Sequence, residues 1–277
     1  MTRLQEMVSH VQKLPAMPVV AMEVLQSMSG ADTDIDALAR RIAQDQAIAA
    51  RVLRVANSPF YGLQAQVGSI HDAIVVLGLS SVRSLVLAAA VIAGLPAGNC
   101  PDFSHTRFWR HVLGVAVAAR ALARPLKRPP EPLFIAGLLH DIGRLAMMVI
   151  YPDELCSVLA DAQARDCTLA EAEQRHFGFD HSTAGAELAR RWNFPAEIVD
   201  ALAWHHDPTR GVPGGLAGIV HYADAIAHAL DLEEADTDQV PRLDPQTVDA
   251  LNLDWEALVG VLTETRAGFD SFKPLLG

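Results

Sequence analysis

Apolar positions recur at the i, i+3, i+4, i+7 spacing of a helix along most of the chain, and no segment alternates long enough for a strand. In "DIDALARRIAQD", Ile35, Leu38, Ala39 and Ile42 share one face, with Thr33 or Asp34 placed to cap it. "QAIAARVLRVAN" continues through Ile48, Val52 and Val55, leaving Arg51 and Arg54 off that face. "SIHDAIVVLG" opens on Ser69 with Asp72 three residues on, a capping box, and stops at Gly78. "LSSVRSLVLAAAVIAGLP" restarts at Ser80 and ends before Pro96, and the Gly- and Pro-rich "GLPAGNCPD" (94–102) reads as a junction. Beyond it the pattern predicts helices near 104–124, 132–150, 153–165, 168–176, 181–193, 195–205 and 215–230. An acidic loop, "DLEEADTDQVPRLDP" (231–245), then leads into a helical tail. The expectation is an all-α chain with an N-terminal bundle (1–97), a second helical unit (98–230) and a loop with its tail (231–277).

Composition adds limits. Hydrophobic residues make up 51% and aromatics only 6%, a balance that favours helices. The net charge of −11 argues against general nucleic-acid binding and against anionic membranes. The longest apolar run, 84–95, is too short to span a bilayer, and "MTRLQEMVSHVQKLPAMP" lacks the apolar core of a signal peptide. Cys100, Cys156 and Cys167 match no metal or disulfide spacing, which points to a reducing compartment. These features predict a cytoplasmic protein.

The second unit breaks its own pattern. His111, the His140–Asp141 doublet, His181, the His205–His206 pair and Asp224 all stand inside apolar, helix-like sequence. Burying an acid costs several kcal/mol unless it is paired or bound to a cation. Helices carrying these residues could converge on one point, where imidazole nitrogens and carboxylate oxygens suit one or two divalent transition-metal ions such as Fe, Mn or Zn. Gly143 would let backbone approach there. Without an ion, Asp141 should pair with His111 or His140. His10, His71, His105, His176, His221 and His228 read as core or surface histidines, Asp180 as a helix N-cap and Asp207 as turn chemistry. "RVANSPFYG" (54–62) reads as a helix-ending turn with two core aromatics, Asn57 and Ser58 bonding nearby backbone, or else as a contact surface between the two units.

In order, His111, His140–Asp141 and Asp224 resemble the H…HD…D signature of the HD superfamily of metal-dependent phosphohydrolases. Adding His181 and His205–His206 makes the set similar to the ligands of HD-GYP cyclic-di-GMP phosphodiesterases. "LPAMPVVAMEVLQSMS" (14–29), "IAQDQAIAARVLRVANSPFYG" (42–62), "SIHDAIVVLGLSSVRSLVLAAAV" (69–91) and "FGFDHSTAGAELARRWNFPAEIVDALAWHH" (177–206) closely resemble the HDOD domain, the HD-related output domain of bacterial signalling proteins. The likeness covers roughly residues 10–230.

That resemblance implies a regulatory module with signalling proteins as partners, any sensor or effector lying in a separate protein. The chain departs from the active enzymes in three places. The GYP-like loop is missing, and "HHDPTRGVPGGLAG" stands there instead. Arg107 occupies the position of a Glu that some relatives use for a further metal, and Arg144 stands where a Lys is common. An Arg there could meet a phosphate or lie on a solvated helix end. Two functions follow as expectations: a regulatory module working by protein or ligand contact, with a degenerate HD site still able to hold metal, or a metal-dependent phosphohydrolase. In the second, Asp141 would bridge if two ions were present. A nucleotide bound without hydrolysis is a further possibility.

Overall fold

The computed structural model describes residues 3–10, 17–27, 34–94, 100–234 and 240–276, and among these there are helices and turns but no strand. Six helices precede the junction: α1 (Arg3–His10), α2 (Val19–Ser27), α3 (Ile35–Gln44), α4 (Gln46–Ala56), α5 (Ile70–Leu77) and α6 (Leu79–Gly94). Then come α7 (His105–Leu122), α8 (Pro130–Leu139), α9 (Ile142–Ile150), α10 (Pro152–Arg165), α11 (Leu169–Phe177), α12 (His181–Arg191), α13 (Ala196–Trp204) and α14 (Leu216–Ala229). The tail forms α15 (Pro245–Leu251) and α16 (Trp255–Phe272).

Local chemistry explains the starts and stops. Asp34 accepts from the Ala37 amide to open α3, and Asp45 does the same with Ile48 for α4, each satisfying an amide that the helix leaves free. Thr33, the alternative cap, lies outside the described residues, as do 95–99 of the junction. Ser69 caps α5 through the Asp72 amide, but its hydroxyl donates to the Asp72 carboxylate, so the predicted reciprocal box is only half made. Gly78 ends α5 at φ +84°, a conformation that costs glycine little.

The predicted turn after α4 is a clamp. Asn57 donates to the Leu53 and Val67 carbonyls and accepts from the Val67 amide. The Ser58 hydroxyl, expected to help, is buried with no hydrogen-bond partner. Phe60 and Tyr61 meet Phe272 of α16 at ring-centroid distances of 5.1 and 6.2 Å, and Arg120 of α7 lies over both rings. Phe272 also meets Phe134 of α8 at 5.4 Å. One turn therefore ties the tail, the first bundle and the second unit together.

A single cluster of buried apolar side chains runs through both halves. The apolar stretch Pro130–Ile150 is long enough to cross a membrane by length and composition, but 83% of its most apolar window is buried inside the fold. The reading of the cysteines as unpaired is corrected. Cys100, just before α7, is disulfide-bonded to Cys156 of α10, with Cα atoms 5.7 Å apart. Their sequence separation of 56 gave no hint of this, because helix packing rather than spacing brings them together.

Candidate metal centre

Helix ends build the site. The chain does not run as one helix over 132–150, as the unbroken apolar pattern suggested; α8 stops at Leu139 and α9 starts at Ile142, with His140 and Asp141 in the turn between. The cause is local. The His140 Nδ1 donates to the Gly137 carbonyl at 2.7 Å, satisfying a helix end that has lost its own donor. His205 repeats the device at the end of α13, its Nδ1 donating to the Leu202 carbonyl at 2.9 Å. A carbonyl can only accept, so each imidazole donates from Nδ1, and this turns Nε2 beyond the helix end.

His181 is held differently. It is the first residue of α12, which Asp180 caps by accepting from the Thr183 amide. Its Nδ1 donates to Glu173 Oε2 at 2.5 Å, and its backbone amide donates to the same oxygen at 2.7 Å. Glu173, on α11, is fully buried. Gly143 lets α9 and α12 touch: a Cβ there would lie 1.9 Å from the His181 carbonyl oxygen and 2.6 Å from the Gly185 nitrogen.

Every candidate ligand read from the sequence arrives in one cluster. Asp141 is its hub. Its Oδ1 lies 3.1 Å from His181 Nε2 and 3.6 Å from His205 Nε2, while Oδ2 lies 3.5 Å from His140 Nε2 and 3.8 Å from His111 Nε2. His206 Nε2 faces His181 Nε2 at 2.8 Å, and Asp224 Oδ1 is 3.2 Å from His111 Nε2. His111, His140, Asp141, His181, His205 and Asp224 are all buried, whereas His206 stands at the rim with Nε2 turned inward.

These residues fit a cation. Both Asp141 oxygens, His205 Nε2 and Asp224 Oδ1 are buried with no hydrogen bond aligned on them. Buried polar atoms normally have such partners. Here they face one another across the cluster, as donors around an ion do.

Electrostatics agree. Burial alone would raise the Asp141 carboxyl, but Arg144, His140 and His181 hold it well below the usual carboxylate range. Asp224 is likewise held low against burial, by His111 and His228. Desolvation pushes His140 down to about 3 despite the pull of Asp141, so its imidazole is neutral. Burial works against charge on His181 too, but Glu173 and Asp141 outweigh it and raise it to about 9. Desolvation, with His205 and His181 beside it, holds His206 well below its ordinary value.

Two expectations change. Asp141 does not pair chiefly with His111 or His140; Arg144 at 3.0 Å and His181 at 3.1 Å are nearer. Arg144 therefore lies on the buried acid rather than on a solvated helix end, since the i, i+3 spacing sets its guanidinium beside Asp141. Two polar neighbours escaped the sequence reading. Glu173 sits among Glu171, Gln174 and Arg175 and looked like part of an exposed face, although the spacing Leu169–Glu173–Phe177 places it on the apolar stripe. His228, read as core or surface, puts Nε2 3.4 Å from Asp224 Oδ1, and the i, i+4 spacing on α14 was the available signal.

Other polar residues take the roles expected of them. His221 is a satisfied core histidine, donating from Nδ1 to the His205 carbonyl and accepting the Asp244 amide on Nε2. Asp207 accepts from the Thr209 hydroxyl within its turn.

A family model, the HDOD domain, matches residues 14–208. Among solved structures, the chain is similar to an HDOD domain protein of unknown function from Geobacter sulfurreducens, at 28% identity and a TM-score of 0.80, covering 98% of this chain and 97% of that one. A Shewanella amazonensis SB2B protein, a phosphohydrolase by assignment, is 29% identical with a TM-score of 0.79 over 98% of both chains. The response regulator MmoQ from Methylococcus capsulatus str. Bath is 30% identical with a TM-score of 0.50, over 90% of this chain and 97% of that one. The chain spans less than half the length of the curated relatives it matches.

Proposed function

Because the chain belongs to the HDOD family, we propose that it is a regulatory module of bacterial signal transduction. It works by contact with signalling proteins or a small ligand, and its HD-type site holds a divalent transition metal. The observation that carries the metal is the convergence of imidazole Nε2 atoms on Asp141, whose two oxygens have no aligned donor. The response-regulator relative supports the signalling role. Neither general nucleic-acid binding nor membrane binding belongs to this reading, given the charge of −11.

His140, Asp141, His181, His205 and His206 would hold the central ion, with His111 and Asp224 beside them. When bound, such an ion supplies a Lewis acid able to polarise a phosphoryl oxygen. The protein's own residues offer a phosphate little else. Most ligands are buried, Arg144 is engaged by Asp141, and the segment after the His pair folds into a short turn at Pro208–Arg210 that leads to α14. This favours holding an ion over turning over a cyclic dinucleotide.

The second reading, a metal-dependent phosphohydrolase, is favoured by the completeness of the cluster and by the Shewanella relative. Elemental analysis and a phosphodiesterase screen on the same Mn-loaded sample separate the two. Bound transition metal without turnover is the expected result. No metal, with Asp141→Ala as stable as wild type, would overturn the metal site; turnover lost in Asp141→Ala would make the protein an enzyme.

A further inference from the structure

The helix α13 has two unlike faces. Ile198, Val199, Ala201 and Leu202 are buried in the core. Glu197, Asp200 and Trp204, spaced three and four residues apart, share the other side. That side lines a cavity of about 410 Å³, closed by the start of α8 and by the segment entering α14. No candidate ligand of the metal centre lines it. We propose that this cavity is a binding site for a small organic ammonium ion with an apolar body. It rests on the regulatory reading for its purpose, not for its chemistry.

The apolar part comes from Leu133 of α8 and Leu216 of α14, with Val212 beside them, 76% exposed. A Cβ on Gly211 would lie 3.4 Å from Trp204 Cε3, so the chain after the Pro208–Arg210 turn rests against the indole edge. An indole face attracts a cation, and ammonium ligands use this. Among the described residues, the Trp204 ring has neither an aromatic nor a cationic neighbour.

The polar part is acidic. Among the described residues, the Glu197 and Asp200 side chains have no hydrogen bond or ion pair. Arg128, before α8, also lines the cavity but is paired with neither. Two carboxylates against one guanidinium leave the lining net negative. An ammonium group gains a charged hydrogen bond here, a neutral molecule leaves the acids unused, and an anion is repelled. Cavities of about 300–1,000 Å³ hold small organic ligands, and one of this size suits a single ring or short chain.

Ligand-observed NMR and calorimetry on the full chain test this with phenethylammonium, 2-phenylethanol and 3-phenylpropionate. The three share a ring and a two-carbon arm and differ in charge. Phenethylammonium should bind, the alcohol about tenfold more weakly, and the carboxylate more weakly still. Chelator-treated and metal-loaded protein should agree, so the site can stand even if the metal reading falls. Combining Glu197→Gln with Asp200→Asn should erase the cation's advantage over the alcohol. Glu197 is exposed and Asp200 half-buried, so this variant should melt as wild type does. Trp204→Leu should weaken phenethylammonium by about five- to tenfold. No binding of phenethylammonium, equal or reversed order among the three probes, or a cation preference kept by the double acid variant would each overturn the site.

Discussion

The two halves of the molecule use polar residues in opposite ways. Up to α6, aspartate, serine and asparagine sit at helix ends, where they satisfy free amides and carbonyls, and the interior is apolar apart from a few serines. Among the described residues, every buried histidine, aspartate and glutamate lies between His111 and Asp224. Both halves are helical and share one buried apolar cluster. The first half thus spends its polar chemistry on folding, whereas the second buries its polar groups at a cost that only an ion or a complete network can offset.

The sharpest way to break this contrast is to remove the hub. Asp141→Ala should lower the stability of the protein by about 3–5 kcal/mol, because it breaks the buried cluster at its hub, taking one of two acids from His181 and the partner from Arg144. Chemical denaturation measures the loss, and metal analysis should show the central ion gone. Gly143→Ala should cost about 3 kcal/mol or more, since its methyl group would meet the backbone of α12 rather than a yielding side chain. A melting temperature within a degree or two of wild type would mean that α9 and α12 are not in contact.

Glu173→Gln sharpens the comparison. It should cost about 1–3 kcal/mol, as a buried charged hydrogen bond is lost, and weaken metal binding by about 10- to 100-fold. Glu173→Asp should restore part of the affinity.

In the metal-free chain, pH should act on the second half from both sides. His140 is lowered from 6.5 to about 3, so its contribution is complete above 6.5 and lost as pH falls. Depressed Asp141 and Asp224 act in the same direction at lower pH. His181 is raised from 6.5 to about 9, so its contribution is complete below 6.5 and lost as pH rises through 9. Thermal melts across this range should therefore peak near pH 6.5, and metal loading should flatten the curve. Asn57→Ala, in the other half, should give the smallest effect, about 1–2 kcal/mol from the opened clamp, with metal content unchanged.

Much of the site was legible because its residues are out of place. His111, His140, Asp141, His181, His205 and Asp224 stood out as polar groups in apolar helical sequence, and the periodicity itself located most of the helices. What could not be read depends on three-dimensional neighbours. The break at His140 arises from a side chain bonding its own helix end, and nothing in "LLHDIGRL" marks that as different from a continuing helix. Glu173 and Arg144 look like ordinary surface charges until α11 and α9 are set against α12. The Cys100–Cys156 bond depends wholly on how α10 lies against the segment before α7.

Phe272 gives the architecture one further consequence. Its ring touches Phe60 and Tyr61 from one half and Phe134 from the other, and Gly268, one turn earlier, leaves no room for even a methyl group against Val117. Parting the halves at this seam would expose the buried Phe272 ring to water, at a cost of about 2–3 kcal/mol, so the seam resists opening.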